Sequence, residues 1–494
     1  MPRLINDENA LPPQLTRQET SVNHPKKQRK ALGAHNDQQP KLRSALQPLS
    51  AAPLQPRAQQ QHQPLRVVKQ SEENLTSRHE RSQRRVNVVI DPCQAHEQRR
   101  LLAEALPLLQ NDGSSRVVEH SSAAPRDDLT AGDTLSLGRE SNFIINGVLG
   151  EGSYGKVFSA QPVVVSLGRR PPPRPPVAVK VSCPPQLWEW TIHRALAARL
   201  PPAALEKHVV PATAAHIFGA AAPASIAERN RSVSVIVQPL ASGTLQGFIE
   251  QQTRRGDLIP PECALFLVSD LLRAVSALHG AAFLHADLRP DNIALRSAAA
   301  EALDAGLTLG EETGGGWDAH GIALLDFGRA IDLKRYPAGT AFSGDAMADG
   351  YACNEMRKKK AWVHQVDYFA LAATAHALLF TSSTASMSLE SSAGRWRPKA
   401  LHPAEAAPCP VALELWSELF DQLLNAPTDG SQLDLDGLAG RMQAYFDNSR
   451  ARRDVLKAGL KRCFTTVAEH AGGKAGGDKA CGRRKRTISD NLAH

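Results

Sequence analysis

The sequence predicts an α+β fold of two lobes, a small strand-rich lobe followed by a larger helical one. Three observations set this expectation. Two apolar runs, IINGVL and KVFSA, flank a glycine-rich turn and read as a hairpin. Longer helical patterns, such as WVHQVDYFALAATAHALLF, follow in the second half. The 13 Phe, 6 Trp and 5 Tyr all lie between Phe143 and Phe464, which is where a core can be built.

The flanks read differently. Residues 1–85 hold 15 Lys/Arg against 7 Asp/Glu, which accounts for the whole net charge of +8. They also carry 13 Gln and 9 Pro and no aromatic residue. Such a segment cannot bury enough apolar surface to offset chain entropy, so 1–85 is expected to be a disordered basic arm. Residues 86–137 read as a partly helical linker. Within it VNVVI suits a short strand, and AHEQRRLLAEALPLLQ has helical leucine spacing. A single isolated helix is marginal in water, so this one is expected to order only on a partner. Residues 138–470 form the expected body, and 471–494 a flexible Gly-rich basic tail.

Composition excludes several classes. With 42% apolar and 22% charged residues the chain is ordinary for a soluble protein. It has no run of about 18 uncharged apolar residues, which argues against a membrane span, and its first residues lack a secretory pattern. Seven widely spaced cysteines without a CxxC pair fit neither a disulfide scaffold nor a standard zinc module.

The chemistry lies in a series of short motifs. Gly150, Gly152, Gly155 and Val157 fit G-x-G-x-x-G-x-V. Placed between two strands, this suits a protein-kinase loop over ATP phosphates; a dinucleotide turn would run from strand into helix. In Val177-Ala-Val-Lys180 the lysine is placed to neutralise the α- and β-phosphates; alone it reads equally as a surface strand lysine. Nine residues on, Glu189 begins a helix after two prolines and is the expected partner of Lys180. The polyproline stretch SLGRRPPPRPP before Lys180 reads as an exposed loop. The most specific signal is His285-Ala-Asp287-Leu-Arg289-Pro-Asp-Asn292, followed by Asp326-Phe-Gly. Here Asp287 is the expected acceptor of the substrate hydroxyl proton and Arg289 the expected screen for the γ-phosphate. Asn292 and Asp326 are the expected Mg²⁺ ligands. The adenine hinge should follow VSVIV, with Ala241 as the N–H donor because Pro239 has none. Position 286, usually arginine, is alanine, which removes the normal docking cation for a phosphorylated activation segment. A Gly/Ala-rich insertion between Asp287 and Asp326 is expected to loop out.

Beyond the general pattern, residues 138–465 resemble the Bub (budding uninhibited by benzimidazoles) mitotic-checkpoint serine/threonine kinases. PPQLWEWTIHRAL, LHADLRPDNIAL, GIALLDFGRAIDLKRYPAGTAF, YACNEM and WVHQVDYFALAATAHALLF carry the resemblance. It implies a bilobal kinase fold, use of ATP and Mg²⁺, and a place in the spindle checkpoint at kinetochores, on chromosomes in the nucleus and also in the cytoplasm. A histone tail is among the implied substrates, with checkpoint and kinetochore proteins as partners. It also implies Glu355 at the end of the activation segment and Asp367 as the brace of the catalytic loop. No tetratricopeptide pattern of the kind many relatives carry is seen. The rival reading is a kinase-shaped scaffold with little turnover; the retained catalytic set argues against it. Arg29 and Leu32 resemble a destruction box for the anaphase-promoting complex, with Arg43–Leu46 a second instance; an inert basic linker is the alternative. Arg483–Arg486 reads either as a nuclear-localisation or nucleic-acid contact or as a solubilising charge run. Without aromatics to stack on bases, sequence-specific nucleic-acid recognition is not expected of the arm.

Overall fold

The small lobe is organised on one seven-stranded sheet, and the alternation of its strands determines what faces the cleft. In the computed structural model, residues 88–473 are described except 111–116, 121–123, 126–127, 139–140, 153–154, 164–173, 220–231, 297–320, 345–349, 382–386 and 400–411. The arm with Arg29–Leu32 and Arg43–Leu46, most of the proline-rich loop, the insertion after Arg296 and the tail with Arg483–Arg486 lie outside the described residues.

The sheet contains β2 (Val117–His120), β3 (Thr134–Ser136), β4 (Asn142–Gly152), β5 (Gly155–Val163), β6 (Val177–Ser182), β7 (Ala214–Phe218) and β8 (Val233–Pro239). Its strand order is β2-β7-β8-β6-β5-β4-β3, with only the β2–β7 pair parallel. Because side chains alternate along a strand, Val179 and Val181 of β6 enter a core with Phe158, Ile145 and Val235, while Lys180 between them faces the other way. Helix α2 (Leu187–Arg199) and the short α3 (Pro202–His208) follow β6 and complete this lobe.

The large lobe is helical. α4 (Leu245–Arg255) starts at Thr244, whose hydroxyl accepts the Gly247 N–H, and ends at Gly256 in the left-handed region, φ +73°. α5 (Pro261–Gly280) is long and apolar enough to cross a membrane by composition, yet 78% of its apolar window is buried by the rest of the chain, as a core helix requires. α7 (Gln365–Leu379) is buried on nearly all sides and lies behind the cleft. α8 (Leu413–Leu424), α9 (Leu435–Asp447) and α10 (Arg450–Gly473) close the lobe. Two short antiparallel ladders, β10 (Ile293–Arg296) with β11 (Gly321–Leu324) and β9 (Phe283–Leu284) with β12 (Ile331–Asp332), carry the catalytic segments on their connecting loops.

The structure corrects the expectation of a linker over 86–137. From residue 88 the chain is folded onto the kinase body. β1 (Val89–Ile90) pairs in parallel with β13 (Ala341–Phe342), in the segment after Asp326. α1 (Ala95–Gln110) packs on α2 and buries Leu101 and Ala105. β2 and β3 are edge strands of the sheet, and Leu129, Leu135 and Leu137 join its core. The physical reason is that the apolar side of an otherwise marginal helix is covered within the same chain. Arg100 of α1 also lies 5.8 Å over the Tyr336 ring, beyond the activation-segment strand β12.

Candidate active site

Lys180, Glu189 and Asp326 come from three elements and meet in the cleft. Lys180 Nζ donates to Glu189 Oε2 at 2.8 Å and to Asp326 Oδ1 at 2.9 Å. Register places Lys180 opposite Val157 of β5 and Ile236 of β8. Glu189 is in the first turn of α2, where the helix dipole favours a carboxylate. Burial alone would lower Lys180, but the charges of Glu189 and Asp326 outweigh it and hold the ammonium above its ordinary range. Complete burial, reinforced by the Asp326 charge and opposed by Lys180, pushes Glu189 up to about 7. Asp326 has φ +55° and accepts the Gly328 N–H, so its backbone turns the carboxylate into the cleft.

The catalytic loop is set from behind by Asp367 of α7. This carboxylate, with no exposed surface, accepts the backbone N–H groups of His285 and Ala286 at 2.9 Å each, and lies 2.9 Å from His279 Nε2. Ala286 is held at φ +57°, a left-handed conformation that a non-glycine residue adopts only when its surroundings impose it. Asn292 Nδ2 donates to the Asp287 carbonyl at 2.8 Å, which fixes the amide and leaves its oxygen free. Burial raises the Asp287 carboxyl above the usual range, against the pull of His285 and Arg329, so it is a better proton acceptor than a solvated aspartate. Arg289, expected to face the γ-phosphate, is paired with Asp291 at 2.9 and 2.5 Å.

The remaining expected residues line the roof of the cleft and its rear edge. Gly150 and Gly152 lie at the end of β4 and Gly155 at the start of β5. A Cβ on Gly155 would come within 1.9 Å of the Val181 carbonyl, so close strand packing requires glycine there. A Cβ on Gly150 would meet nothing and one on Gly152 only the Gly155 carbonyl at 4.0 Å, which leaves room for a phosphate above them. Ala241 follows β8 two residues beyond Pro239. Asp326 and the Asn292 amide oxygen are hard donors of the kind Mg²⁺ takes together with phosphate oxygens, so the residues present fit that ion.

Comparison with known proteins agrees with this geometry. Residues 222–402 match the Protein kinase domain family. The chain is 30% identical over 330 residues to the mouse "Mitotic checkpoint serine/threonine-protein kinase BUB1", which is 66% of this chain and 28% of that protein. It is 31% identical over 296 residues to the Saccharomyces cerevisiae "Spindle assembly checkpoint serine/threonine-protein kinase BUB1", covering 59% of this chain and 26% of that protein. It is 28% identical over 285 residues to the Arabidopsis thaliana BUB1 kinase, covering 58% and 49%. Over this region the chain is similar to the Bub family of protein kinases. It spans about a quarter to a half of the length of these relatives. Among solved structures, the "Crystal structure of BubR1 kinase domain" superposes with a TM-score of 0.59 at 20% identity, covering 76% of this chain and all of that one, which supports the bilobal kinase fold.

Three contacts that the motifs do not announce hold α2 against the segment after Asp326. Trp188 Nε1 donates to the Ala330 carbonyl at 2.8 Å. Arg199 makes a bidentate pair with the buried Asp332, 2.7 Å on each arm. Arg335 approaches the same carboxylate at 3.2 Å and lies 5.9 Å over the Trp188 ring. These links are made without a phosphate, which fits the alanine at position 286. Arg199→Ala should lower stability by about 2–3 kcal/mol, less than the ~3–5 of a fully orphaned buried charge because Arg335 remains. Thermal melting reads the loss, and a variant as stable as wild type would show that the pair contributes nothing.

A second feature missed in the sequence is a column of rings through the cleft. His285 and Phe327 have centroids 5.0 Å apart, and Phe327 and His193 5.1 Å. His193 Nδ1 accepts the Ala212 N–H, and its Nε2 lies 3.2 Å from the Gln238 amide. Burial, with the Lys180 charge nearby, holds His193 down at about 3, so it is neutral and packs as a ring. The signal was present, since His193 is four residues after Glu189 on the same helix face. What it touches was not readable from the sequence.

Proposed function

We propose that this chain is an active serine/threonine protein kinase of the spindle checkpoint, transferring the ATP γ-phosphate to protein hydroxyls. The observation that supports this most is the Lys180–Glu189 pair at 2.8 Å with Asp326 2.9 Å from the same ammonium. That arrangement is the one a kinase needs in order to place nucleotide phosphates. Lys180, oriented by Glu189, holds the α- and β-phosphates, and the strand ends at Gly150, Gly152, Gly155 and Val157 cover them. Ala241 donates to adenine. Bound Mg²⁺, on Asp326 and Asn292, supplies charge neutralisation for the phosphates. Asp287 accepts the hydroxyl proton as the substrate oxygen bonds to the γ-phosphorus and the bond to the bridging oxygen of ADP breaks. Arg289 screens the γ-phosphate, and its pair with Asp291 orders the loop beneath Asp287.

Similarity to the Bub kinases supports checkpoint and kinetochore partners, a nuclear and chromosomal location, and a histone tail among the substrates. Arg29–Leu32 remains the proposed point of control by the anaphase-promoting complex. The test is phosphoryl transfer by the purified full chain with ATP-Mg²⁺ and nucleosomes. Transfer to a histone supports the full reading, and transfer only to itself or to a generic protein keeps the kinase and removes the histone. A folded chain with no transfer and no thermal shift at saturating ATP-Mg²⁺ is the scaffold instead; a true binder gains about 2.7 kcal/mol at a hundredfold excess over Kd.

The charge state of Glu189 gives a pH test. Glu189 must be ionised to hold Lys180, and its carboxyl is raised to about 7. In the free enzyme the neutral form therefore dominates below that value, and kcat/KM should fall on the acid side of about pH 7. Glu189→Gln should flatten this limb; an acid limb that stays in place in the variant assigns it to another group.

A further inference from the structure

Arg357, Lys358, Lys359 and Lys360 are four consecutive cations, all exposed, directly after the buried Met356. The short helix α6 (Asn354–Arg357) stops there because Lys359 turns left-handed at φ +52°. Two backbone bonds close the turn, from Lys359 N–H to the Met356 carbonyl at 2.9 Å and from Lys360 N–H to the Glu355 carbonyl at 2.8 Å. The first two side chains are held as well. The Arg357 guanidinium lies 4.8 Å over the Phe369 ring, and Lys358 Nζ lies 4.7 Å over the Trp396 ring. Trp396 belongs to β15 (Arg395–Pro398), whose hairpin adds an exposed Lys399 just beyond it.

No counter-charge answers this run. Among the described residues none of the four cations forms an ion pair, and the nearby carboxylates Asp421 and Glu390 are taken by Arg395 and Arg397 at 2.5 Å. A surface that serves only solubility mixes both signs. This one keeps like charges adjacent, where they repel, on an ordered turn.

We infer that this turn binds the phosphate backbone of duplex DNA, without sequence preference. Three of the four cations are lysines, compact point charges on flexible stems that meet a phosphate without requiring one bidentate geometry. The two local rings are covered by cations, so no apolar pocket is left for a peptide side chain. A strand of duplex DNA carries one phosphate per about 3.4 Å of helix axis, a dense line of negative charge that a run of exposed lysines complements. The inference stands apart from the proposed catalysis, because binding is measured without nucleotide.

The test compares the full chain with Lys359→Gln/Lys360→Gln. Arg357 and Lys358 are kept because they pack on Phe369 and Trp396. Binding to a short random-sequence duplex is followed by fluorescence anisotropy over a salt series. The basic arm contributes equally to both proteins, so the difference in slope reads only the two lysines. Each phosphate contact contributes about 0.9 to the slope of log K against log salt, so the variant should be shallower by about 2. Melting temperature and phosphorylation of a free peptide should not change. An unchanged slope in a folded variant overturns the inference. So does a variant that loses binding to polyglutamate while its DNA slope is intact, which would assign the turn to an acidic protein partner.

Discussion

Asp287→Asn should lower phosphoryl transfer by about 100- to 10,000-fold, the range general-base groups contribute, while leaving the fold intact. The substitution keeps size and shape. It removes the charge that burial has made more basic than usual, and with it the ability to take the hydroxyl proton. The bonds that shape the loop are to backbone atoms, Asn292 to the Asp287 carbonyl and Asp367 to the N–H groups of His285 and Ala286, and none needs the Asp287 side chain. Melting should therefore stay within about 2 °C of wild type, and ATP-Mg²⁺ should still stabilise the variant. Transfer at the wild-type rate would remove Asp287 from the reaction. Loss of transfer together with unfolding would show that the residue is structural, and Asp287→Glu would then separate charge from packing.

Asp367→Ala should do the reverse, disabling the site by releasing its scaffold. Asp367 is fully buried and its two oxygens satisfy His279, His285 and Ala286. Removing it strands two backbone donors and frees Ala286 from its left-handed conformation. The expected cost is about 3–5 kcal/mol, a melting shift of roughly 5–15 °C, with transfer lost even where the protein is still folded. Asp367→Asn keeps one acceptor but points an amide N–H at a donor, so it should recover only part of the stability. The pH dependence has a definite sign. Burial alone would raise this carboxyl, but the hydrogen bond from His279 and the Ala286 N–H outweigh it and hold it below the usual range. A lowered folded value means its stabilisation is present above the unfolded value of about 3.9 and is lost only as pH falls through the folded one. Wild type should therefore shed this contribution in acid below about pH 4, and Asp367→Ala should show a flatter acid limb in urea unfolding. Identical acid limbs in the two proteins would assign the loss to other carboxylates.

The two lobes, the glycine hairpin, Lys180, Glu189 and the catalytic and Asp326 segments were legible because each is a local pattern. A strand alternates, so the VAVK run already sends Lys180 away from the core that takes Val179 and Val181. A helix beginning after two prolines places Glu189 in its first turn. The partner of Arg289 was not legible for the opposite reason. The motif specifies a cation, but which carboxylate it meets depends on rotamer and neighbours, and here it is Asp291, two residues on.

Residues 88–137 mark the limit most clearly. VNVVI and the leucine-spaced helix were visible as elements, but nothing in either says what covers it. β1 pairs with Ala341–Phe342, roughly 250 residues along the chain, and such a pairing leaves no trace in local composition. The same holds for Arg199 with Asp332, 133 residues apart, and for His193 with Gln238, 45 apart. The sequence by itself determined which chemical groups this protein carries and on which strand, helix or loop each one stands, because backbone periodicity and turn chemistry act over a few residues. Only the tertiary structure decided which of them meet, because packing and ion pairing join positions that chain order keeps apart.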